Sequence, residues 1–390
     1  MYNFGTVDGD GHYPFGGLTL GRDGNFYGTT ESGGTDLYGT VFKLTPSGRL
    51  TTLYTFTGGT DGTGPMAPPI QGADGSLYGT ASGTQSGNGA IYKITPAGVF
   101  TTLYLFDSTH GRMPDGPLVQ GTDGNFYGTT AYGGTNFCDC GVIFKISPAG
   151  TFTVLGNLDL WHAAIPFSPL VQASDGNFYG TTVSGGSSGY GVVFEVAPAG
   201  KFTVLHYMNG TTDGRQTSAG LVQATDGNLY GVNGYGGAAS SGCPSGCGTI
   251  FKITTTGVFS VLYNFDLTTG QAPLTTVMQH TNGILYGTAS GGGTGCASAN
   301  CGVLYSLNIG AAPFVSLVST RAKLGQTVEI LGQGFTGTTG VSFDGIAANF
   351  KVKSDTYLMA IVPTGAQTGP VTVTTPGGTL TSNKIFRVAP

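Results

Sequence analysis

The stretch Asp123-Gly124-Asn125-Phe126-Tyr127-Gly128-Thr129-Thr130 decides how the rest of the chain is read, because it recurs. It stands again at Asp23 to Thr30 and at Asp175 to Thr182, and looser copies begin at Asp74, Asp226 and Asn282. Its tyrosines fall at 27, 78, 127, 179, 230 and 286, which makes six copies at a period of 49 to 56 residues. Each copy runs on through a Gly-Gly loop into a strand-like phrase such as Gly141-Val-Ile-Phe-Lys-Ile146 or Gly248-Thr-Ile-Phe-Lys-Ile253. A Pro-Ala-Gly turn, a Phe-Thr-Val-Leu-Tyr-x-Phe run, a loop of variable length and a short phrase like Pro117-Leu-Val-Gln120 complete it. These are four short runs rich in Val, Ile, Phe, Tyr and Thr, bounded by Gly, Pro or Asp-Gly turns, with no helical periodicity. Four strands repeated near every 50 residues describe the blade of a β-propeller, and six copies predict six blades. A lone four-stranded sheet cannot cover both faces, so neighbouring sheets must supply the core.

The fold class expected is therefore all-β: a six-bladed β-propeller over residues 1–311 and, where the repeat stops, a small immunoglobulin-like β-sandwich over 312–390. Six of the fifteen Lys and Arg residues lie after Pro313, among alternating runs such as Thr327 to Leu331, Tyr357 to Val362 and Val371 to Thr374. Tyr2-Asn3-Phe4 matches the end of a fourth strand, and the sixth copy supplies only three, so the N-terminal segment is expected to complete the last blade.

Of the 390 residues only 9% are charged, against ~25% in an average globular chain, while 39% are hydrophobic and 11% aromatic. With 71 Gly among them, the solvent face must be made of Thr, Ser, Asn and Gly. A net charge of −5 argues against nucleic acid as a partner. No apolar run approaches the roughly 18 residues that span a bilayer, so no membrane insertion is expected. A monomer is expected, and any export signal is taken to be left off this chain.

Two resemblances follow from these phrases. Asp-Gly-Asn-Phe-Tyr-Gly-Thr-Thr, Gly-Val-Ile-Phe-Lys-Ile and Pro-Ala-Gly-x-Phe-Thr-Val-Leu resemble the GloVer tandem repeat of secreted, often surface-anchored bacterial proteins. Gly325-Gln-Thr-Val-Glu-Ile-Leu-Gly-Gln-Gly334, Val341-Ser-Phe-Asp-Gly345 and Ile361-Val-Pro363 resemble an IPT/TIG domain. Neither resemblance carries an activity residue by residue.

Six cysteines form three local pairs, Cys138 with Cys140, Cys243 with Cys247 and Cys296 with Cys301, each in the loop between second and third strands. Local pairs in long polar loops favour disulfides and an extracellular or cell-surface setting. The alternative is a structural zinc site of paired cysteine knuckles. Cys138-Asp-Cys140 is the pair whose one-residue spacer strains bridge geometry.

The turns between first and second strands and between third and fourth are short and uniform. The other connections vary and share the opposite face, where binding and catalysis concentrate on a fixed scaffold. Eight residues before the first-strand apolar position of each copy stand Asp10, Gly62, His110, His162, Asp213 and Thr269; six before it stand His12, Gly64, Arg112, Ala164, Arg215 and Gln271. The candidate catalytic set is therefore His12, His110, Arg112, His162, Arg215, Asp10 and Asp213, with Trp161, Tyr132 and Tyr235 as sugar-stacking rings. The bland reading gives these Asp residues turn-closing roles and the histidines mere solvation. Asp8-Gly-Asp10-Gly resembles part of a calcium loop without the rest of its ligands, so no cofactor is expected there, calcium being the alternative for that loop.

Two functional classes remain. One is an extracellular carbohydrate-binding or adhesion protein holding a polysaccharide or cell-surface glycan. The other is a polysaccharide lyase or glycoside hydrolase at the channel mouth. For a lyase a His or Tyr base beside a uronate-neutralising Arg would serve. For hydrolysis Asp10 and Asp213 are the pair whose separation matters, about 5 or 6.5–9.5 Å.

Overall fold

A computed structural model describes residues 2–5, 9–83, 87–240, 242–294 and 301–389. Among them there is no helix, and none therefore long and apolar enough to cross a membrane. Close contacts divide the chain into one unit of 1–222, 229–276 and 288–303 and another of 223–228, 277–287 and 304–390.

Every repeat builds an antiparallel sheet whose strands follow one another in chain order. In the third, Val119–Gln120, Phe126–Thr130, Val142–Ile146 and Phe152–Asn157 pair in sequence. Five repeats have four such strands, and the sixth has three: Met278–Gln279, Leu285–Ala289 and Val303–Leu307. The architecture is all-β and propeller-like, as the repeat predicts.

The recurring phrase has a physical reading at each position. Asp123 Oδ2 accepts hydrogen bonds from the Tyr127 hydroxyl (2.7 Å) and Asn125 Nδ2 (2.7 Å), closing the turn while satisfying a phenol whose ring is fully buried. Asp23 does the same for Tyr27, and Asn282 replaces it in the sixth repeat, where its amide lies 3.2 Å from the Tyr286 hydroxyl. Gly128 is small because a Cβ there would stand 2.6 Å from the Phe144 ring, and Gly28, Gly180 and Gly231 face the same obstacle. The repeat thus spends a glycine to seat the third-strand aromatic, the centre of each interlayer core.

Neighbouring repeats are joined by ring stacks, with Tyr78 on Phe126 and Tyr127 on Phe178 at 3.9 Å. They are also stitched by glutamine. Gln71, Gln120 and Gln172 each accept a backbone N–H from the preceding repeat, from Arg22, Ala73 and Thr122 respectively, all at 2.9 Å. Each amide then donates into its own repeat's Asp-Gly turn.

Residues 2–5 form no strand, so the expected fourth strand of the last sheet is not formed among the described residues. Tyr2 and Phe4 nevertheless pack onto the first repeat as a preceding fourth strand would. Phe4 lies 5.3 Å from Phe42, as Phe56 lies 5.4 Å from Tyr92 in the next repeat, and the Tyr2 hydroxyl reaches Asp10 as that of Tyr54 reaches Asp61.

The C-terminal runs fold as two four-stranded sheets, one of Ser316–Leu317, Thr327–Leu331, Tyr357–Ile361 and Phe350–Ser354, the other of Ile346–Ala347, Gly340–Phe343, Val371–Thr375 and Gly378–Thr381. Between them lies a core that includes Val328, Ile330, Phe335, Phe343, Leu358, Val371 and Phe386.

Candidate functional site

The loops entering the first strands meet the loops after the second strands through a short backbone bridge in every repeat. His12 pairs with Ser32, Thr63 with Gly83, Arg112 with Tyr132, Ala164 with Ser184, Arg215 with Tyr235 and Gln271 with Gly291. This corrects the counted alignment in the second repeat, where Thr63 and Asp61, not Gly64 and Gly62, hold the equivalent positions. The residue after each bridge adopts the left-handed conformation: Tyr13, Gly64, Met113, Ile165, Gln216 and Ala272 have φ between 51° and 59°. For residues other than glycine that costs about 1–2 kcal/mol each. In four repeats the N–H of this residue donates to the preceding repeat: Gly64 to Tyr38 O, Met113 to Asn88 O, Ile165 to Cys140 O and Ala272 to Cys247 O, at 2.9–3.0 Å.

In each repeat one aspartate closes this entry loop, from either end. Asp10, Asp61 and Asp213 reach back to the N–H of Gly5, Thr57 and Asn209 at 2.6–2.9 Å. Where the earlier position is itself aspartate, Asp107, Asp159 and Asp266 reach forward to the N–H of His110, His162 and Thr269 at 2.7–2.9 Å. The imidazoles of His110 and His162 are held by the same carboxylates, Nδ1 to Oδ1 at 2.9 Å. Burial pushes Asp107 and Asp159 up, and their bonds from these histidines more than offset it, leaving both below the ordinary carboxylate range. Asp10 and Asp213 are both buried, and Asp213 also binds His206 Nε2 at 2.8 Å. His110, His162, Asp10 and Asp213 are thus all engaged in hydrogen bonds that close their loops or join them to the preceding strand.

The arginines differ. Arg112 forms an ion pair with Asp139, its guanidinium lying 4.9 Å from the centre of the Tyr132 ring. The bond from Arg112, opposed by burial, holds the Asp139 carboxyl below its usual range. Arg215 lies 5.9 Å from the Tyr190 ring and enters no ion pair among the described residues. It lines an open cleft of about 380 Å³ with Val183, Ser184, Gly189, Tyr190, Gln216 and Tyr235. Of the expected site residues, the structure brings only Arg215 and Tyr235 into this cleft. Trp161 is 80% exposed outside its lining, Tyr132 lies under Arg112, and His12 is exposed at its bridge. Tyr190 and Gln216 escaped the sequence reading. Tyr190 fills the slot before the glycine that opens a third strand, the slot of Tyr38, Asn88, Cys140 and Cys247, and that variable column was its only signal.

Cys138 and Cys140, whose spacer argued against closure, form a disulfide, as do Cys243 and Cys247, with Cα atoms 5.2 and 5.4 Å apart. Cys301 is also bonded, while Cys296 lies outside the described residues. No group of His, Cys, Asp or Glu suited to a metal ion occurs among the described residues.

Structures similar in fold include a fungal alcohol oxidase of the AA5 family in complex with copper, at 15% identity, covering 96% of this chain and 85% of that one with a TM-score of 0.50. Virginiamycin B lyase from Staphylococcus aureus is 15% identical over 93% of this chain and 97% of its own, with a TM-score of 0.49. A gluconolactonase from Xanthomonas campestris is 12% identical over 76% and 87%, with a TM-score of 0.42. At such identities the likeness is one of fold alone. No curated protein matches the sequence. The Gloeobacter/Verrucomicrobia repeat matches residues 1–174 and 138–349, and an IPT/TIG domain matches 313–388. The chain therefore belongs to the Gloeobacter/Verrucomicrobia repeat family and ends in an IPT/TIG domain.

Proposed function

We propose that this protein acts outside the cell as a carbohydrate-binding or adhesion module, with residues 1–311 a six-bladed propeller presenting the site and 312–390 a spacer or docking domain. The observation that carries the reading is the cleft of Tyr190, Arg215, Gln216, Ser184 and Tyr235. Rings half exposed beside amide, hydroxyl and guanidinium donors are what a saccharide needs, since pyranose C–H faces stack on rings while hydroxyls take directional hydrogen bonds. The cleft volume also falls within the ~300–1,000 Å³ of small-molecule sites. Two disulfides in the described loops support the oxidising setting.

A glycan array tests this directly, and an array without a saccharide ligand refutes it. The polysaccharide-lyase reading keeps one supporting feature, phenols beside an unpaired arginine. Release of unsaturated product absorbing at 235 nm would favour it, and binding without release favours the module. The hydrolase reading has less support, because Asp10 and Asp213 both close loops.

A further inference from the structure

We infer that the Arg215 cleft is a carboxylate subsite, so that the saccharide it takes is an acidic one, a uronate-bearing chain. The argument rests on the carbohydrate reading above and on a comparison the protein makes with itself. Arg112 and Arg215 hold the same place in the third and fifth repeats. Each forms the backbone bridge to the tyrosine of a Tyr-Gly-Gly loop opening, Tyr132 or Tyr235, and each precedes a residue in the left-handed conformation. In the third repeat the guanidinium is taken by a carboxylate of the chain itself. Asp139 Oδ1 accepts from Arg112 Nε at 3.2 Å, its second oxygen accepts from Nη2, and the Gly133 N–H donates to it as well. This is a two-pronged grip, the arrangement in which arginine outperforms a point charge.

Asp139 sits immediately before Cys140, and the residue immediately before Cys247 in the fifth repeat is Gly246. That position cannot carry a side chain, since a Cβ on Gly246 would stand 2.1 Å from Gly236 O. The internal carboxylate is thereby absent from the fifth repeat, and Arg215 turns instead over Tyr190 at the wall of the cleft. Among the described residues no aspartate or glutamate lines it. A chain with only 15 Lys and Arg among 390 residues thus places one, without an acidic partner among the described residues, in an open cleft flanked by two tyrosines. The grip that Asp139 satisfies in the third repeat is offered to a ligand in the fifth, with Tyr190 and Tyr235 positioned to bracket the sugar ring that carries the carboxyl group.

The test uses the full chain and calorimetric titration with trimers of galacturonate, glucuronate, mannuronate and guluronate, each beside its carboxyl-reduced, neutral counterpart. At least one acidic trimer should bind about tenfold to a hundredfold more tightly than its neutral partner, and Arg215→Gln should erase that difference while leaving the melting temperature in place. Arg215→Lys, which keeps the charge without the fork, should recover only part of it. Acidic and neutral trimers bound equally, with Arg215→Gln silent, would overturn the carboxylate subsite while leaving saccharide binding intact. No binding by any trimer of either kind, together with an array empty of saccharides, would overturn both.

Discussion

Replacing Asp123 by alanine isolates the contribution of the aspartate that opens the recurring phrase. The carboxylate holds the Tyr127 hydroxyl at 2.7 Å, Asn125 Nδ2 at 2.7 Å and the Asn125 N–H at 3.1 Å. The Tyr127 ring has no exposed surface, so Asp123→Ala strands a phenol whose orientation the stack on Phe178 still enforces. An unsatisfied buried hydroxyl costs about 1–3 kcal/mol, and losing the turn-closing acceptor adds on the order of 1 kcal/mol, for a total of about 2–4 kcal/mol. Asp123→Asn should cost less than half of this, because Asn282 already serves that position in the sixth repeat. Adding Tyr127→Phe to the alanine variant should recover stability, since no hydroxyl is then stranded. Burial pushes the Asp123 carboxyl up, but the bonds from Asn125 and Tyr127 bring it below its ordinary value. The stabilisation is therefore present above the unfolded carboxylate pKa of about 3.9 and is lost as pH falls through the lower folded value. The assay is urea unfolding followed by near-ultraviolet circular dichroism of the tyrosines, since Trp161 is 80% exposed and reports on little. Equal costs for Asn and Ala, or a double variant less stable than Asp123→Ala, would refute the reasoning.

Gly128→Ala should destabilise by about 1–3 kcal/mol through collision with the Phe144 ring, read as a lower urea midpoint, and Phe144→Leu in the same chain should relieve part of it. Gln172→Ala, which removes the stitch to the Thr122 N–H, should cost about 1–2 kcal/mol, whereas a loss indistinguishable from zero would remove glutamine from the inter-repeat account. Asp115 has an oxygen buried without a hydrogen-bond partner, and burial pushes its carboxyl above the ordinary value. Its ionisation therefore destabilises the fold as pH rises from about 3.9 through the raised folded value, so Asp115→Asn should gain stability at neutral pH and nothing near pH 3 in parallel melts. Intact-mass measurement before and after reduction should show two hydrogens added for each of the described bridges, Cys138 with Cys140 and Cys243 with Cys247; alkylation of these cysteines in the unreduced protein would contradict it.

The architecture was legible because a repeated phrase states its own constraints several times over. Asp123, Gly128 and Tyr127 each answer a local demand, for a turn acceptor, for space beside Phe144 and for a buried ring, and the demand recurs at a fixed spacing. The glutamine of Val-Gln was as regular, yet its role joins residues about 50 apart in sequence, as Gln172 and Thr122 are, so no local rule announced it. The bends at Met113 and Ile165 were hidden for a related reason. There a residue other than glycine is held in the left-handed region by a hydrogen bond from its own N–H to a segment of the preceding repeat.

The candidate site divides along the same line. Sequence alone determined that Arg112 and Arg215 stand in equivalent slots, which their matching bridges bear out, and that three pairs of cysteines share another. It could not determine which of those polar side chains are already engaged. His110 and His162 look equivalent to Asp10 and Asp213 in a column of residues, but whether an aspartate closes the loop forwards or backwards is settled by three-dimensional reach. Arg112 and Arg215 are chemically identical, and only the tertiary structure sets Asp139 against the first and Tyr190 beside the second. Periodicity reports the demands that every repeat shares, because each is met within a strand or a turn. The pairing of a charge depends on a partner contributed by another loop, so it is decided only when the chain has brought the two together.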